Sequence, residues 1–268
     1  MYDFCYARAR DTVDAVARFT AADDARYLAG GQTLLAAMKL RLAAPSDLID
    51  LKTLDALHGI ARDGDVLVLG AMTTHAQAAE SAVVAAAAPG LARLASGIGD
   101  PMVRHMGTLG GSIANNDPAA DWPAAVLAYD ATVRTDRRTL GADAFFTGLY
   151  ETALAPGELI VDVRFRVPAQ SAYAKFANPA SRYALVGVCI ARFADGAVRV
   201  AVSGAGAAGV FRLRAFEAAL SAHFDAGALD GLDVDASTLA GDLHASAEYR
   251  AHLIGVMARR AVAQAAGA

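Results

Sequence analysis

The sequence predicts an α+β protein. Three features of its patterning carry that expectation: a β–α–β unit within the first fifty residues, antiparallel hairpins turned on the Asp63-Gly64 and Asp195-Gly196 pairs, and a closing run of helices. The 268 residues suffice for two or three lobes with cores of their own. With 55% hydrophobic and 19% charged residues, the composition is that of a folded chain and not of a disordered one.

Asp11-Thr12-Val13-Asp14 opens an amphipathic helix whose apolar face is Val13, Val16, Ala17 and Phe19. Tyr27-Leu28-Ala29 is a short strand that runs into Gly30-Gly31. From Thr33 the apolar residues Leu34, Leu35, Met38 and Leu42 recur at helical spacing, and Pro45 ends that helix. Leu48-Ile49-Asp50-Leu51 is the next buried strand. Residues 60–70 form a hairpin on Asp63-Gly64, and Thr73-Thr74 caps helical pieces that reach about residue 94. Residues 96–116 are glycine-rich and match neither regular period, so they read as irregular. A short helix over 123–129 and strands near 131–135 and 159–167 come next. Pro168-Ala169-Gln170-Ser171 marks the expected boundary. It divides the chain into residues 1–170, with a small subdomain 1–55 and a larger one 56–170, and a C-terminal domain 171–268. That domain begins with Tyr173-Ala174-Lys175-Phe176, continues as a hairpin over 185–193 and 198–203, and ends in two or three helices, the last over about 246–265.

Several function classes fall away. The net charge is −4, and the one basic cluster, at residues 134–138, is interrupted by Asp136, so no nucleic-acid footprint is expected. Cys5 and Cys189 are too few for a four-cysteine iron–sulfur site, and the six histidines lie at no metal-ligand spacing, so no metal is expected on this chain. The first six residues lack a signal peptide's pattern, and the alanine run 82–88 is too short to cross a bilayer; a soluble, cytoplasmic protein is expected. No Gly-x-Ser-x-Gly elbow is present.

Two segments remain that suit a ligand. Leu28-Ala29-Gly30-Gly31-Gln32-Thr33-Leu34 places paired glycines between a strand and a helix. Positive φ and bare backbone are accessible there, and successive N–H groups make a concavity for an anion such as pyrophosphate. Alone, Gly-Gly before a helix fits a tight turn that holds nothing. Thr108-Leu109-Gly110-Gly111-Ser112 and the Ile113-Ala114-Asn115-Asn116 after it form a second stretch, rich in donors and poor in bulk, of the kind a polar ligand requires. Asp121, just beyond, is an acceptor for hydroxyls such as those of a ribityl chain or ribose. One decoy exists: residues 204–209 match G-x-G-x-x-G, but they come after the return arm of a hairpin, whereas a dinucleotide site of that type needs a parallel βαβ unit.

The first segment, together with Lys39-Leu40-Arg41-Leu42 and Leu48-Ile49-Asp50-Leu51, resembles the N-terminal part of the FAD-binding medium subunits of the carbon monoxide dehydrogenase and xanthine dehydrogenase family. The second segment is similar to that family's second flavin motif, and Asp117-Pro118-Ala119-Ala120-Asp121 to the stretch after it. Tyr173-Ala174-Lys175-Phe176 with residues 178–184 resembles the entry to the C-terminal domain. The resemblance implies a vanillyl-alcohol-oxidase (PCMH)-type FAD-binding fold of two subdomains, with a C-terminal α+β domain containing an antiparallel sheet after it. It implies FAD against Leu28, Ala29, Gly30, Gly31, Gln32, Thr33 and Leu34 and against Thr108, Leu109, Gly110, Gly111 and Ser112. Asp121 would meet ribityl or ribose hydroxyls, Lys175 would lie near the flavin, and Leu159 and Ile98 would pack on the cofactor. Gln32 stands where some members have His, and Ser112 where Asn is usual. Tyr183 either covers an isoalloxazine face or plugs the C-terminal core.

In function, the resemblance implies an electron-transfer subunit of a molybdenum-dependent hydroxylase. A large molybdopterin-binding subunit and a small 2Fe-2S subunit would be its partners, in a dimer of heterotrimers that carries the metal centres outside this chain. No catalytic acid or base is expected here, since flavin chemistry belongs to the cofactor. The rivals are a free-standing FAD-dependent oxidoreductase of the same fold and a non-redox assembly protein that kept it.

Overall fold

The computed structural model describes residues 1–267. Its first lobe comprises β1 (Cys5–Arg8), α1 (Thr12–Ala21), β2 (Ala25–Leu28), α2 (Leu34–Lys39) and β3 (Asp47–Asp50). The strands form a parallel sheet in the order β1-β3-β2. Asp11 caps α1 by accepting from Asp14 N. The α2 helix is shorter than its apolar spacing suggests. It stops at Lys39, Arg41 turns left-handed at φ 60°, and Leu40 and Leu42 are exposed. No core lies beneath those two leucines to extend the helix to Pro45.

The middle unit comprises β4 (Ile60–Asp63), β5 (Val66–Gly70), α3 (His75–Glu80), α4 (Ala82–Ala87), α5 (Pro89–Ser96), α6 (Pro101–Met106), α7 (Leu109–Asn115), α8 (Trp122–Ala128), β6 (Thr132–Thr135), β7 (Thr139–Gly141), α9 (Ala142–Phe145), β8 (Phe146–Gly148), β9 (Glu151–Thr152) and β10 (Ile160–Arg166). Five of its strands make an antiparallel sheet, β4-β5-β10-β6-β7, and the Asp63-Gly64 hairpin is its edge. The helices cover one face of that sheet over Trp122, Tyr129, Phe145 and Phe165, all fully buried.

Residues 96–116 are not irregular: they hold α6 and α7. Asp100 and Thr108 cap these helices by accepting from Val103 N and Gly111 N. Gly110 costs α7 intrinsic propensity, but a Cβ there would stand 2.7 Å from Ala71 Cβ, so only glycine lets α7 lie against β5's end.

The last unit is an antiparallel sheet of β11 (Gln170–Ala177), β12 (Ala184–Arg192), β13 (Val198–Ser203) and β14 (Phe211–Arg212), with α10 (Arg214–Ala222) and α11 (Ala247–Ala266). Side chains alternate across it. Val186, Val188, Ile190 and Val200 pack under Phe216, Ile254 and Met257, while Tyr173, Cys189, Ala191 and Ala201 join the core of the middle unit. The G-x-G-x-x-G stretch comes after β13, which pairs antiparallel with β12, and Gly204 N donates to Pro118 O at 2.7 Å. It is a connection and not a nucleotide loop.

Arg250, on α11 and 3% exposed, ties that connection down. One guanidinium nitrogen donates to Leu185 O and Gly204 O, each at 2.6 Å, and another to Asp242 at 2.8 Å. Replacing Arg250 by Met leaves two buried carbonyls without donors. A loss of about 2–4 kcal/mol in urea unfolding is expected, and a change within roughly 0.5 kcal/mol would contradict this role.

Candidate functional site

The first lobe and the middle unit enclose a cleft of about 740 Å3, a size that suits a small-molecule ligand. Leu28, Ala29, Gly30, Gly31, Gln32, Thr33 and Leu34 line one wall, and Thr108, Gly110, Gly111 and Ser112 the other. Ile98, Asp121, Leu159 and Tyr183 also border it.

The first wall begins where β2 stops at Leu28 and Gly31 turns to φ 69°. Thr33 precedes α2 without a side-chain capping bond. Among the described residues no protein acceptor takes the N–H groups of Gly30, Gly31, Gln32, Thr33 or Leu34; the first to be used is that of Leu35, which donates to Gly31 O at 3.1 Å. Five successive free donors therefore edge the cleft. Gln32 Nε2 is turned back onto Gly30 O at 3.2 Å.

The second wall works differently from its sequence expectation as a donor-rich stretch. From Leu109 on, its N–H groups are already spent: Leu109 N donates to Thr73 O at 3.0 Å, Gly110 N to Ala71 O at 2.8 Å, Gly111 N to Thr108 Oγ1 at 3.1 Å and Ser112 N to Thr108 O at 3.0 Å. What it contributes is missing bulk. A Cβ on Gly111 would stand 3.7 Å from Ala29 Cβ, across the cleft. The Leu109 side chain is fully buried in the core and does not line the cleft.

The two walls come together at Gly30. A Cβ on Gly30 would come within 2.1 Å of Met106 O and 2.8 Å of Gly107 Cα. Nothing larger than glycine fits there without moving the walls apart.

Behind the cleft, Asp121 opens α8 and is buried. Its carboxylate accepts from Tyr173 Oη and, at 3.1 Å, from Lys175 Nζ, which also donates to Gly97 O at 2.9 Å. Tyr173 and Lys175 sit two apart on β11 and so share a face. Burial pushes the Asp121 carboxyl above the usual range, against the pull of Lys175 and Tyr173. Lys175 itself is held behind Asp121 and is not among the residues that line the cleft. Tyr183 is 57% exposed at the cleft's lip and does not plug the C-terminal core. Ser181 and Arg182, before it, both turn left-handed, at φ 58° and 56°.

In the sequence His75 is one of several scattered histidines, yet it borders the cleft. Its Nδ1 accepts from Trp122 Nε1 at 3.0 Å, and its backbone N–H donates to Gly107 O at 3.0 Å. The partner lies 47 residues away, so no local signal reports the pair. Among the described residues no group of three or more His, Cys, Asp or Glu side chains is gathered for a metal, and no helix is long and apolar enough to cross a membrane.

Residues 2–170 match the family described as FAD binding domain in molybdopterin dehydrogenase. The carbon monoxide dehydrogenase medium chain of Afipia carboxidovorans is 35% identical, over 98% of this chain and 96% of the relative. The nicotine 6-hydroxylase medium subunit of Paenarthrobacter nicotinovorans is 35% identical, over 97% and 96%. A chain of the cyanide-inactivated Cu,Mo-CO dehydrogenase crystal structure superposes with a TM-score of 0.90 at 34% identity, covering 98% of each. The α+β fold expected from the sequence is the fold of that chain.

Burial lowers the pKa of His75 to about 4. The folded protein holds the imidazole neutral, while the unfolded chain takes up a proton near its ordinary value of 6.5. This contribution is complete above pH 6.5 and is lost as the pH falls toward 4, on the order of 3 kcal/mol across that window. Urea unfolding of wild type and His75→Gln between those pH values checks it. The variant should show a flatter dependence, and parallel curves would contradict the assignment.

Proposed function

The chain belongs to the family of FAD-binding domains of molybdopterin dehydrogenases, and from that premise we propose that it holds FAD in the cleft and relays electrons as the medium subunit of a molybdenum hydroxylase. The run of free N–H groups at residues 30–34 carries the proposal. A pyrophosphate supplies the oxygen acceptors those groups lack, and the bare second wall leaves it room. The chain is an oxidoreductase subunit, as its relatives are.

In this reading Gly30, Gly31, Gln32, Thr33 and Leu34 bind the pyrophosphate through the backbone, and Leu28 and Ala29 shape the approach. Thr108, Gly110, Gly111 and Ser112 form the opposite wall, and Leu109 anchors it from the core. Asp121 accepts from ribityl or ribose hydroxyls with the lone pairs that Tyr173 and Lys175 leave free. Lys175 acts through Asp121, and Leu159 packs on the cofactor. Residues 1–170 are the FAD-binding domain and residues 171–268 the C-terminal domain. FAD, when bound, supplies the redox step between iron–sulfur clusters and an external acceptor. A large molybdopterin-binding subunit and a small 2Fe-2S subunit complete the enzyme, in a cytoplasmic dimer of heterotrimers.

The experiment is purification of the native protein with whatever accompanies it, and then measurement of its absorption spectrum and metal content. Flavin together with iron and molybdenum is expected. Flavin in an active lone chain would contradict the subunit role, and a colourless protein would contradict flavin binding altogether.

A further inference from the structure

His75 borders the cleft and has no part in the roles above. An indole N–H only donates, so Nδ1, which accepts from Trp122, carries no proton. Burial keeps the ring neutral, which leaves its single proton on Nε2. The residue is 5% exposed, and Nε2 has no hydrogen-bond partner among the described residues. Gly107 accounts for its access. A Cβ at that position would stand 2.6 Å from Nε2 and cover it, whereas glycine leaves the nitrogen bare.

We infer that His75 is a ligand residue of the cleft, donating its Nε2–H to a phosphate oxygen of the bound dinucleotide; the inference rests on the FAD reading above. A Cβ on Gly30 would stand 2.8 Å from Gly107 Cα, and one on Gly107 2.6 Å from Nε2, so the imidazole belongs to the wall that faces the start of the free N–H run. Backbone donors from one wall and a side-chain donor from the other then converge on one anion. Because the imidazole is neutral, it adds a directed bond without a second buried charge. Trp122 is the residue directly after Asp121, so the same hydrogen bond that orients His75 couples it to the residue proposed to hold the ribityl or ribose hydroxyls.

The test uses the complex as purified, stripped of flavin and titrated with FAD or with riboflavin, which has no phosphate. His75→Phe, which keeps a ring in place, should weaken FAD binding about tenfold and leave riboflavin within about twofold. A structure of the FAD-loaded wild-type complex should place Nε2 within hydrogen-bond distance of a phosphate oxygen. Equal FAD affinity in the variant, equal losses for both ligands, or an Nε2 bonded elsewhere in the loaded complex would overturn the inference. If His75→Phe does not fold, the loaded wild-type structure decides alone. Wild-type complex that fails to take up FAD overturns the parent reading, and this one with it.

Discussion

The contact between Gly30 and the Met106 carbonyl sets the geometry of everything around it. A methyl group there would overlap the Met106–Gly107 backbone, so the strand–helix turn of the first lobe and the α6–α7 junction of the middle unit meet at a spacing that only glycine permits. From that point the walls diverge into the cleft. One wall presents unpaired N–H groups, and the other presents a glycine face whose N–H groups are satisfied. Thr108 takes the N–H groups of Gly111 and Ser112, and the carbonyls of Ala71 and Thr73 take those of Gly110 and Leu109, whereas Thr33 precedes α2 without a capping bond.

The rear of the site is held by buried polar pairs, one within the middle unit and one that reaches across to the last unit. Asp121 joins α8 to β11 through Tyr173 and Lys175, and His75 joins α3 to α8 through Trp122. The aromatic partners Trp122 and Tyr173 also belong to the core shared by the middle unit and the last sheet. A displaced β11 would strand the Asp121 carboxylate without its donors, a costly outcome for a buried charge. Packing of the C-terminal sheet and the geometry of the cleft are therefore linked, although the last unit reaches the lining only through Ser181, Arg182 and Tyr183 of the loop between β11 and β12.

Much of this fold is legible locally. The Asp63-Gly64 and Asp195-Gly196 turns, the Gly30-Gly31 junction and the alternation through Tyr173 and Lys175 are short-range patterns whose physics is complete within a few residues. The helix α7 is not legible as a helix, because glycine lowers intrinsic propensity and the compensation at Gly110 comes from Ala71, far along the chain. For the same reason the second wall looks, in sequence, like a supply of donors, since two of the acceptors that consume them are the carbonyls of Ala71 and Thr73. His75 escapes sequence reasoning in an equivalent way. What distinguishes it from the other histidines is a tryptophan 47 residues on.

The central claim is that the free N–H groups of residues 30–34 hold the anionic part of the ligand. Amide hydrogen exchange of the complex with and without FAD measures it directly. Peptides spanning residues 29–35 should become strongly protected when FAD binds, and the N–H groups of 109–112, which are already bonded, should change little. Exchange at residues 29–35 that is indifferent to FAD, in a complex that binds it, would contradict the claim.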